Sequence, residues 1–434
     1  MNYIALTIGP IYKTLADAKK PKELFASSYL FSYIMREIIY MFKEREFITP
    51  YIKDNSIFDE KSPVGLFHDR FIFQSKKGDI EKLQKSIIDI CEDIATKFSL
   101  DFSQVREYLQ INYFKKELPN DVNPIIELSP YLDTQELFFQ TTQDESLKQV
   151  LRGEKKNNFL TEGKGIVDDL KKLTYNNYYC IVHADGDNMG QAIKDISTIE
   201  NVSKSLFEYC KNANKEIKEY GGQTIFAGGD DLLFFAPTIS KQKNQTIFQL
   251  CENIAKDFNE KIPVATLSFG ISIKYVKFPL YEALENSRNL LFSQAKSGAK
   301  NNIAFNVTKH SGQSFTTLVH KGEKEVYEKF LKLTASLQDK KKNEDDNKDD
   351  DKDDTQNFLH SIHHKINAYK TTIEQIIDDK ERLQNFFNNY FNEEEHKKYS
   401  SFFENLVAFM SVSKDIDQIY AALRFVKFVR GKKQ

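Results

Sequence analysis

Tyr178-Tyr179-Cys180-Ile181-Val182-His183-Ala184-Asp185-Gly186-Asp187 and Gln223-Thr224-Ile225-Phe226-Ala227-Gly228-Gly229-Asp230-Asp231 are the two stretches that decide how this chain is read. Each is an apolar, strand-length run that ends in acids, and one helix-length segment separates them. A further strand-like run, Leu232-Leu233-Phe234-Phe235-Ala236, follows the second. If the two strands lie side by side, at least two carboxylates meet at their ends. Like charges packed that closely call for a cation between them, and all-oxygen ligands suit magnesium or manganese. Divalent ions held in this way serve in-line phosphoryl transfer. Gly-Gly-Asp-Asp taken alone describes a plain hairpin turn equally well. The matching acidic strand end at Asp185 is what favours a nucleotide-and-metal site.

Reading outward from these runs, Val202, Leu206, Cys210, Ala213 and Ile217 recur at helical spacing before Gly221-Gly222 stops the helix. Ile247, Phe248, Cys251, Ile254, Ala255 and Phe258 mark a second amphipathic helix. A strand from Val264 to Tyr275, a helix from Leu280 to about Lys296 and a last strand through Ile303, Phe305 and Val307 complete the segment. The order β-α-β-β-α-β is the ferredoxin-like split unit. We therefore expect a palm-type catalytic domain over 176–312.

The N-terminal part repeats that order in degraded form over 1–114. A strand (Tyr3–Ile8), a helix (Glu23 to Phe42), short strands at Glu46–Thr49 and Arg70–Gln74, and a helix from Asp79 to Lys97 are expected. The first strand ends in Thr7-Ile8-Gly9-Pro10, without an acid, and the loop Pro50–Asp69 stands where the tight acidic hairpin would be. This predicts an inactive duplicate palm whose task is binding. Residues 115–175, with Pro119, Pro124 and Pro130, read as a connecting subdomain, and 313–434 as a helical domain. Within the latter, Asp339–Asp354 holds nine acidic and five lysine residues and is expected to be a disordered charged linker. Basic residues gather in the tail at Arg424, Lys427, Arg430, Lys432 and Lys433, fitting either RNA, an acidic neighbour or simply a helix C-terminus.

The 434 residues suffice for two to four domains, and the net charge of −2 attracts neither nucleic acid nor membrane globally. No apolar run approaches the roughly 20 residues of a membrane helix. With no signal pattern at the N-terminus, a cytoplasmic protein is expected. Cys91, Cys180, Cys210 and Cys251 stand far apart on apolar faces and read as buried thiols, so no zinc is expected. The overall expectation is an α+β fold of two ferredoxin-like palms, the first degenerate, with a connecting subdomain and a C-terminal helical domain.

Five ordered stretches carry a resemblance to a known family. They are Thr7-Ile8-Gly9-Pro10 with Lys19-Lys20 and Leu24–Ser32; His183–Gly190; Phe226–Leu233; Ala265–Ser272; and Pro279-Leu280 with Ala295-Lys296. In this order they resemble the large palm-containing subunit of type III CRISPR effector complexes, most closely the III-B branch. The resemblance implies an RNA-guided antiviral complex in which target binding switches on the palm. The palm then converts ATP to cyclic oligoadenylates or, in some members, joins AMP to S-adenosylmethionine. It also implies partners: the other subunits, CRISPR RNA and target RNA. Many relatives begin with an HD nuclease domain, whereas here palm-like sequence starts at Met1, so a form without that domain is expected. His68-Asp69 lacks the further ligands of a metal nuclease, and His363-His364 fares no better. The zinc site often found between the palms is one these cysteines cannot build.

On that resemblance, Asp185 and Asp231 are the first candidates for metal ligands, and Asp230 positions a metal or the attacking 3′-hydroxyl. Asp187 is either a further ligand or the brace of its own loop. Gly228 and Gly229 let backbone approach a triphosphate, and Gly186 and Asn188 are expected to bind the nucleotide beside them. Lys296 is either a cation for phosphate or a surface lysine. Ser268 and Gly270 are expected to flank the base pocket, Ser268 either bonding the adenine edge or being satisfied within the strand. Ser27 and Ser28, read as a helix start, would suit a second nucleotide's phosphates. His183 is taken as structural. Against messenger synthesis stand a free-standing cyclase of the diguanylate type, which usually has one palm, and an architectural subunit with an inactive palm.

Overall fold

The computed structural model describes residues 1–53, 56–59, 64–140, 142, 144–153, 160–162, 165–336, 350–391 and 396–430. Two sheets organise it. The first has the order β2-β3-β1-β4, with β1 Asn2–Gly9, β2 Phe47–Thr49, β3 Arg70–Gln74 and β4 Gln110–Glu117. The second has the order β10-β9-β8-β5-β7-β6, with β5 Tyr178–Asp187, β6 Gln223–Gly228, β7 Asp231–Pro237, β8 Thr266–Tyr275, β9 Asn302–Thr308 and β10 Ser314–His320. Four of its strands, β6-β7-β5-β8, repeat the order of the first sheet, and in both every neighbouring pair is antiparallel. The α+β class and the duplicated split unit are therefore both present. β9 then adds parallel to β8, and β10 antiparallel to β9.

Two expected limits are corrected by strand pairing. The limit at 114 falls inside β4, which pairs with β1 along its whole length. The limit at 312 separates β9 from β10, although the two share seven register pairs of one sheet. The helix Pro124–Glu136 of the expected connecting segment lies against β1, through Leu128 and Leu132 packed with Tyr3, Ala5 and Ile72.

Helices cover both sheets. In chain order we label α1 Pro21–Met41, α2 Asp79–Phe98, α3 Pro124–Glu136, α4 Ile196–Tyr220, α5 Ile247–Lys261 and α6 Leu280–Asn289. Pro21 occupies the first turn of α1, where its missing N–H costs nothing. Asp195 caps α4 by accepting from Ser197 N, and Gly221 at φ +98° ends it. On one face of β5, Cys180, Val182 and Ala184 pack with Tyr209, Phe248 and Phe258 of α4 and α5. On the other, Tyr179 and Ile181 pack with Leu280 and Leu284 of α6 and with Leu24 and Phe25 of α1. The two halves thus share a core. Each such buried apolar side chain contributes about 1.5–3 kcal/mol of transfer free energy.

The C-terminal helices α7 Lys324–Ala335, α8 Asp350–Ala368, α9 Lys380–Tyr390, α10 Ser400–Ser413 and α11 Ile416–Arg430 close over the far side. Phe425 of α11 and Phe330 of α7 lie 4.6 and 5.0 Å from the ring of Phe248. Of the expected charged linker, 339–349 lies outside the described residues. Its last five residues, from Asp350, are helical rather than disordered. All four cysteines are buried. No helix among the described residues is long and apolar enough to cross a membrane.

Candidate functional site

The β5–β7 ladder pairs Ala184 with Leu232, so one step further along the register Asp185 comes opposite Asp231. The β6–β7 ladder closes on Gly228 paired with Asp231. Gly229 and Asp230 are left as the two turn residues, and Gly229 takes φ +64°, which a side chain would resist. Cys210 of α4 donates its thiol to the Gly229 carbonyl at 3.3 Å and holds the turn from below. The Asp230 carboxylate rests on the backbone N–H of Gly186. A Cβ on Gly186 would lie 2.5 Å from Asp230 Oδ2. The three acids Asp185, Asp230 and Asp231 are thereby brought together.

Their electrostatics reflect that crowding. Burial and then Asp185 push Asp230 up to about 6. Asp231 opens onto a cavity, yet protein crowds it, and burial, Asp230, Asp185 and Asp69 together push it well above the usual range. Asp185 is raised by burial against the opposing pull of Lys296. Lys296 ion-pairs with the Asp185 carboxylate and donates to the Gly186 carbonyl at 2.8 Å, with only 16% of its side chain exposed. It faces the acids rather than open solvent.

Among the described residues, no three His, Cys, Asp or Glu side chains converge tightly enough to hold an ion unaided. Magnesium does not require that: it keeps several waters and binds through one or two carboxylates together with substrate phosphates. Hard carboxylate oxygens that repel one another, beside glycine backbone, fit such an ion.

Four expected contacts are corrected. Asp187 is fully buried, and its Oδ2 accepts from Thr266 Oγ1 (3.0 Å), Ser268 Oγ (2.8 Å) and Asn301 N (3.0 Å). Through Oδ2 it braces the strand end, while its buried Oδ1 has no hydrogen-bond partner and lies 4.0 Å from Lys296 Nζ. Ser268, fully buried and spent on Asp187, cannot reach an adenine. Gly270 lies against backbone: a Cβ there would run into the Ser287 carbonyl and come within 2.5 Å of Leu291 N, at the wide helical turn Leu290–Ala295 that follows α6. It serves close packing, not a base pocket. Ser27 and Ser28 lie two turns into α1, 3% and 4% exposed, and offer no helix N-terminus. Asn188 closes β5 in the left-handed conformation at φ +62°. His183 is held by Ser287 Oγ at 2.8 Å and lowered to about 3 by burial and Arg288, as a structural residue would be.

Asp230 and Asp231 border a cavity of about 410 Å³ between the two sheets, within the range of small-ligand pockets. Its second wall is N-terminal: Thr49, Pro50, His68, Asp69 and Arg70. Asp69 immediately precedes β3 as Asp230 immediately precedes β7, so the duplicate palm does place an acid at the equivalent point. Burial and Glu136 raise Asp69 to about 6. Burial and Arg70 lower His68 to about 4. Sequence reading set His68-Asp69 aside because it sought a nuclease; the signal that locates the pair is its position in the repeat. The walls are fixed to each other by Tyr51 N donating to Ser203 Oγ (2.7 Å) and Ala227 N to the Gly65 carbonyl (3.3 Å).

Two family profiles match the chain. That of Cas10/Cmr2, second palm domain, covers residues 178–304, and that of CRISPR-associated protein Cmr2, N-terminal, covers 3–107. Together they span more than half of it. The CRISPR system Cmr subunit Cmr2 of Pyrococcus furiosus is 27% identical over an alignment of 220 residues, covering 42% of this chain but only 25% of that relative. Among solved structures, a Csm1–Csm4 cassette in complex with pppApA superposes with a TM-score of 0.56 at 11% identity, over 99% of this chain and 69% of that one. The cassette in complex with cA4 gives 0.54 at 11%, over 95% and 70%. The apo type III-B Cmr-beta cryo-EM structure gives 0.51 at 9%, over 74% and 70%. Identities this low establish the shared fold. With profiles of one subunit matching both of its palm-like halves in order, this chain belongs to the Cas10/Cmr2 family, the palm-containing large subunits of type III CRISPR effector complexes.

Proposed function

We propose that this chain is a target-RNA-activated nucleotidyltransferase that makes a cyclic oligoadenylate from ATP, within a type III-B complex of further subunits, CRISPR RNA and target RNA. The observation that carries the reading is that Asp230 and Asp231, set at the strand end beside Asp185, line a cavity walled by both palms. In this mechanism Asp185 and Asp231 would hold magnesium or manganese, with Asp230 beside them. Such an ion, when bound, neutralises charge on the phosphate oxygens of the reacting nucleotide. The glycine turn lets a triphosphate approach backbone without a Cβ in the way. Asp230, near pKa 6, accepts the proton of the 3′-hydroxyl as its oxygen attacks the α-phosphorus of a second ATP and pyrophosphate leaves. Lys296 moves from Asp185 to the phosphates as a point cation. The N-terminal wall, with Asp69 and His68, receives the acceptor.

The test is the complex assembled with its guide RNA, given target RNA, magnesium or manganese and labelled ATP, with and without S-adenosylmethionine, and its products identified by mass. Oligoadenylates from ATP alone support the reading, and their loss in Asp230→Ala/Asp231→Ala assigns them to this site. A product that forms only with S-adenosylmethionine would keep the site and change the acceptor. No product from a complex that binds target would leave an architectural subunit.

A further inference from the structure

Parts of three acid-free segments meet at the end of the palm sheet opposite the acids. Residues 286–322, 355–373 and 418–434 contain no Asp or Glu, in a chain where those residues number 63 of 434. The fold brings together the β9–β10 turn, the middle of α8 and the last turns of α11. Tyr178, at the start of β5, meets the ring of Phe428 of α11 at 4.6 Å, and its hydroxyl accepts from His310 N at 3.0 Å. Seven residue steps along β5 separate Tyr178 from Asp185, roughly 23 Å of strand. The region is therefore distinct from the catalytic cavity.

Lys309, Arg424 and Lys427 crowd there with His360 and His363. Among the described residues none of the three long cations has an acid in ion-pair reach. Burial and then Arg424 lower Lys309, and burial and then Lys309 lower Lys427. Burial, Lys427 and Arg424 lower His363 to about 4. A folded protein that collects cations without counter-charge carries a repulsive cost that a bound anion would relieve. The cations are also held in place. The Arg424 guanidinium lies 4.3 Å over the Phe315 ring, and His363 stacks on Tyr420 at 4.1 Å with its Nε2 buried and unpartnered.

We infer that Lys309, Arg424 and Lys427, with His363, form a binding site for the phosphodiester backbone of single-stranded RNA. Arg424 and Lys427 lie one helical turn apart on α11, side by side on its surface. Aromatic faces border them, at Tyr420 and at the exposed His310, which packs against Tyr275 at 4.5 Å. Interleaved cations and π-faces suit a strand with bases to stack, and an acidic protein surface would use only the cations. This site does not depend on messenger synthesis and would act even with an inactive palm.

The test uses the full chain and a labelled single-stranded RNA of mixed sequence, with anisotropy followed against salt. Binding should weaken with salt, and Lys309→Gln/Arg424→Gln/Lys427→Gln should reduce affinity on the order of a hundredfold near 0.1 M salt, with the log–log slope falling by about 2. The thermal midpoint of this variant should match or exceed that of the parent, because like-charge repulsion has been removed. A merely structural role would lower it. The single variant Lys427→Gln, expected to lose roughly fivefold, serves if the triple variant does not fold. RNA binding that persists unchanged in the folded variants, or a parent chain that binds no RNA at low salt, overturns the proposal. So does competition by polyglutamate as effective, charge for charge, as RNA, which would mark the surface for an acidic protein.

Discussion

Gly186 and Asp230 touch: the carboxylate of Asp230 sits where a side chain at Gly186 would begin, with its Oδ2 2.5 Å from the position of a Cβ. The contact fixes the turn carboxylate against the end of β5, where Asp185 lies. Gly186→Ala should therefore displace Asp230 without altering any acid. We expect a stability loss of about 1–3 kcal/mol, as for other overpacked sites. Messenger synthesis in the assembled complex should fall at least tenfold, in line with the sensitivity of catalysis to small misplacements. Full activity in a folded Gly186→Ala complex would show that Asp230 need not lie here.

Asp230 also sets a pH dependence. Its folded pKa of about 6 lies above the ordinary 3.8, so the native state holds a proton that the unfolded chain has released. Stability from this group is thus fully present below about pH 4 and is lost as pH rises through about 6. In chelator, Asp230→Asn should remove the loss. Relative to the parent, the variant should be more stable by on the order of 2–3 kcal/mol at about pH 7.5 and by much less at about pH 4.5. Denaturant titrations at both pH values give the comparison. A difference that does not change with pH would mean that Asp230 ionises normally.

Asp187 was a candidate ligand, but its Oδ2 is committed to Thr266, Ser268 and Asn301. Ser268→Ala removes one of three donors to a charged acceptor and should cost about 1.5–3 kcal/mol. It should leave the nucleotide affinity of the complex within a few-fold. A large rise in the KM for ATP, with little change in stability, would return Ser268 to the nucleotide pocket.

The palm was legible because its signals are local. Apolar runs ending in Asp185 and Asp230, and helix periods on either side of them, need no partner to be read. What escaped reading depends on distant partners. Ser268 alternates along β8 like any inward residue, and only an acid 81 positions away, Asp187, decides what it does. Asp69 became visible as a site residue only when β3 and β7 proved to occupy equivalent places in two sheets. β10, Ser314–His320, is polar at half its positions because it forms an edge, and so it gave little strand signal. The start of α1 was a missed local signal: Pro21, not the serines further on, marks the first turn.

Lys296 tests how the acids are balanced. Its ammonium faces Asp185 and the Gly186 carbonyl, the only cation in ion-pair contact with the three acids among the described residues. Lys296→Met keeps much of the stem and removes the charge. Burial already raises Asp185, and losing the lysine raises it further, so the cost should be larger at about pH 7.5 than at about pH 5. In chelator at the higher pH we expect a loss of about 3 kcal/mol, the usual result of breaking a largely buried pair. Millimolar magnesium should then raise the melting temperature of the variant more than that of the parent, because the ion no longer competes with an ammonium for Asp185. Catalysis should still fall, since the phosphates have lost their point cation. If magnesium stabilises both proteins equally, Lys296 and the ion do not share Asp185, and the carboxylates that hold the metal must be sought elsewhere on the cavity wall.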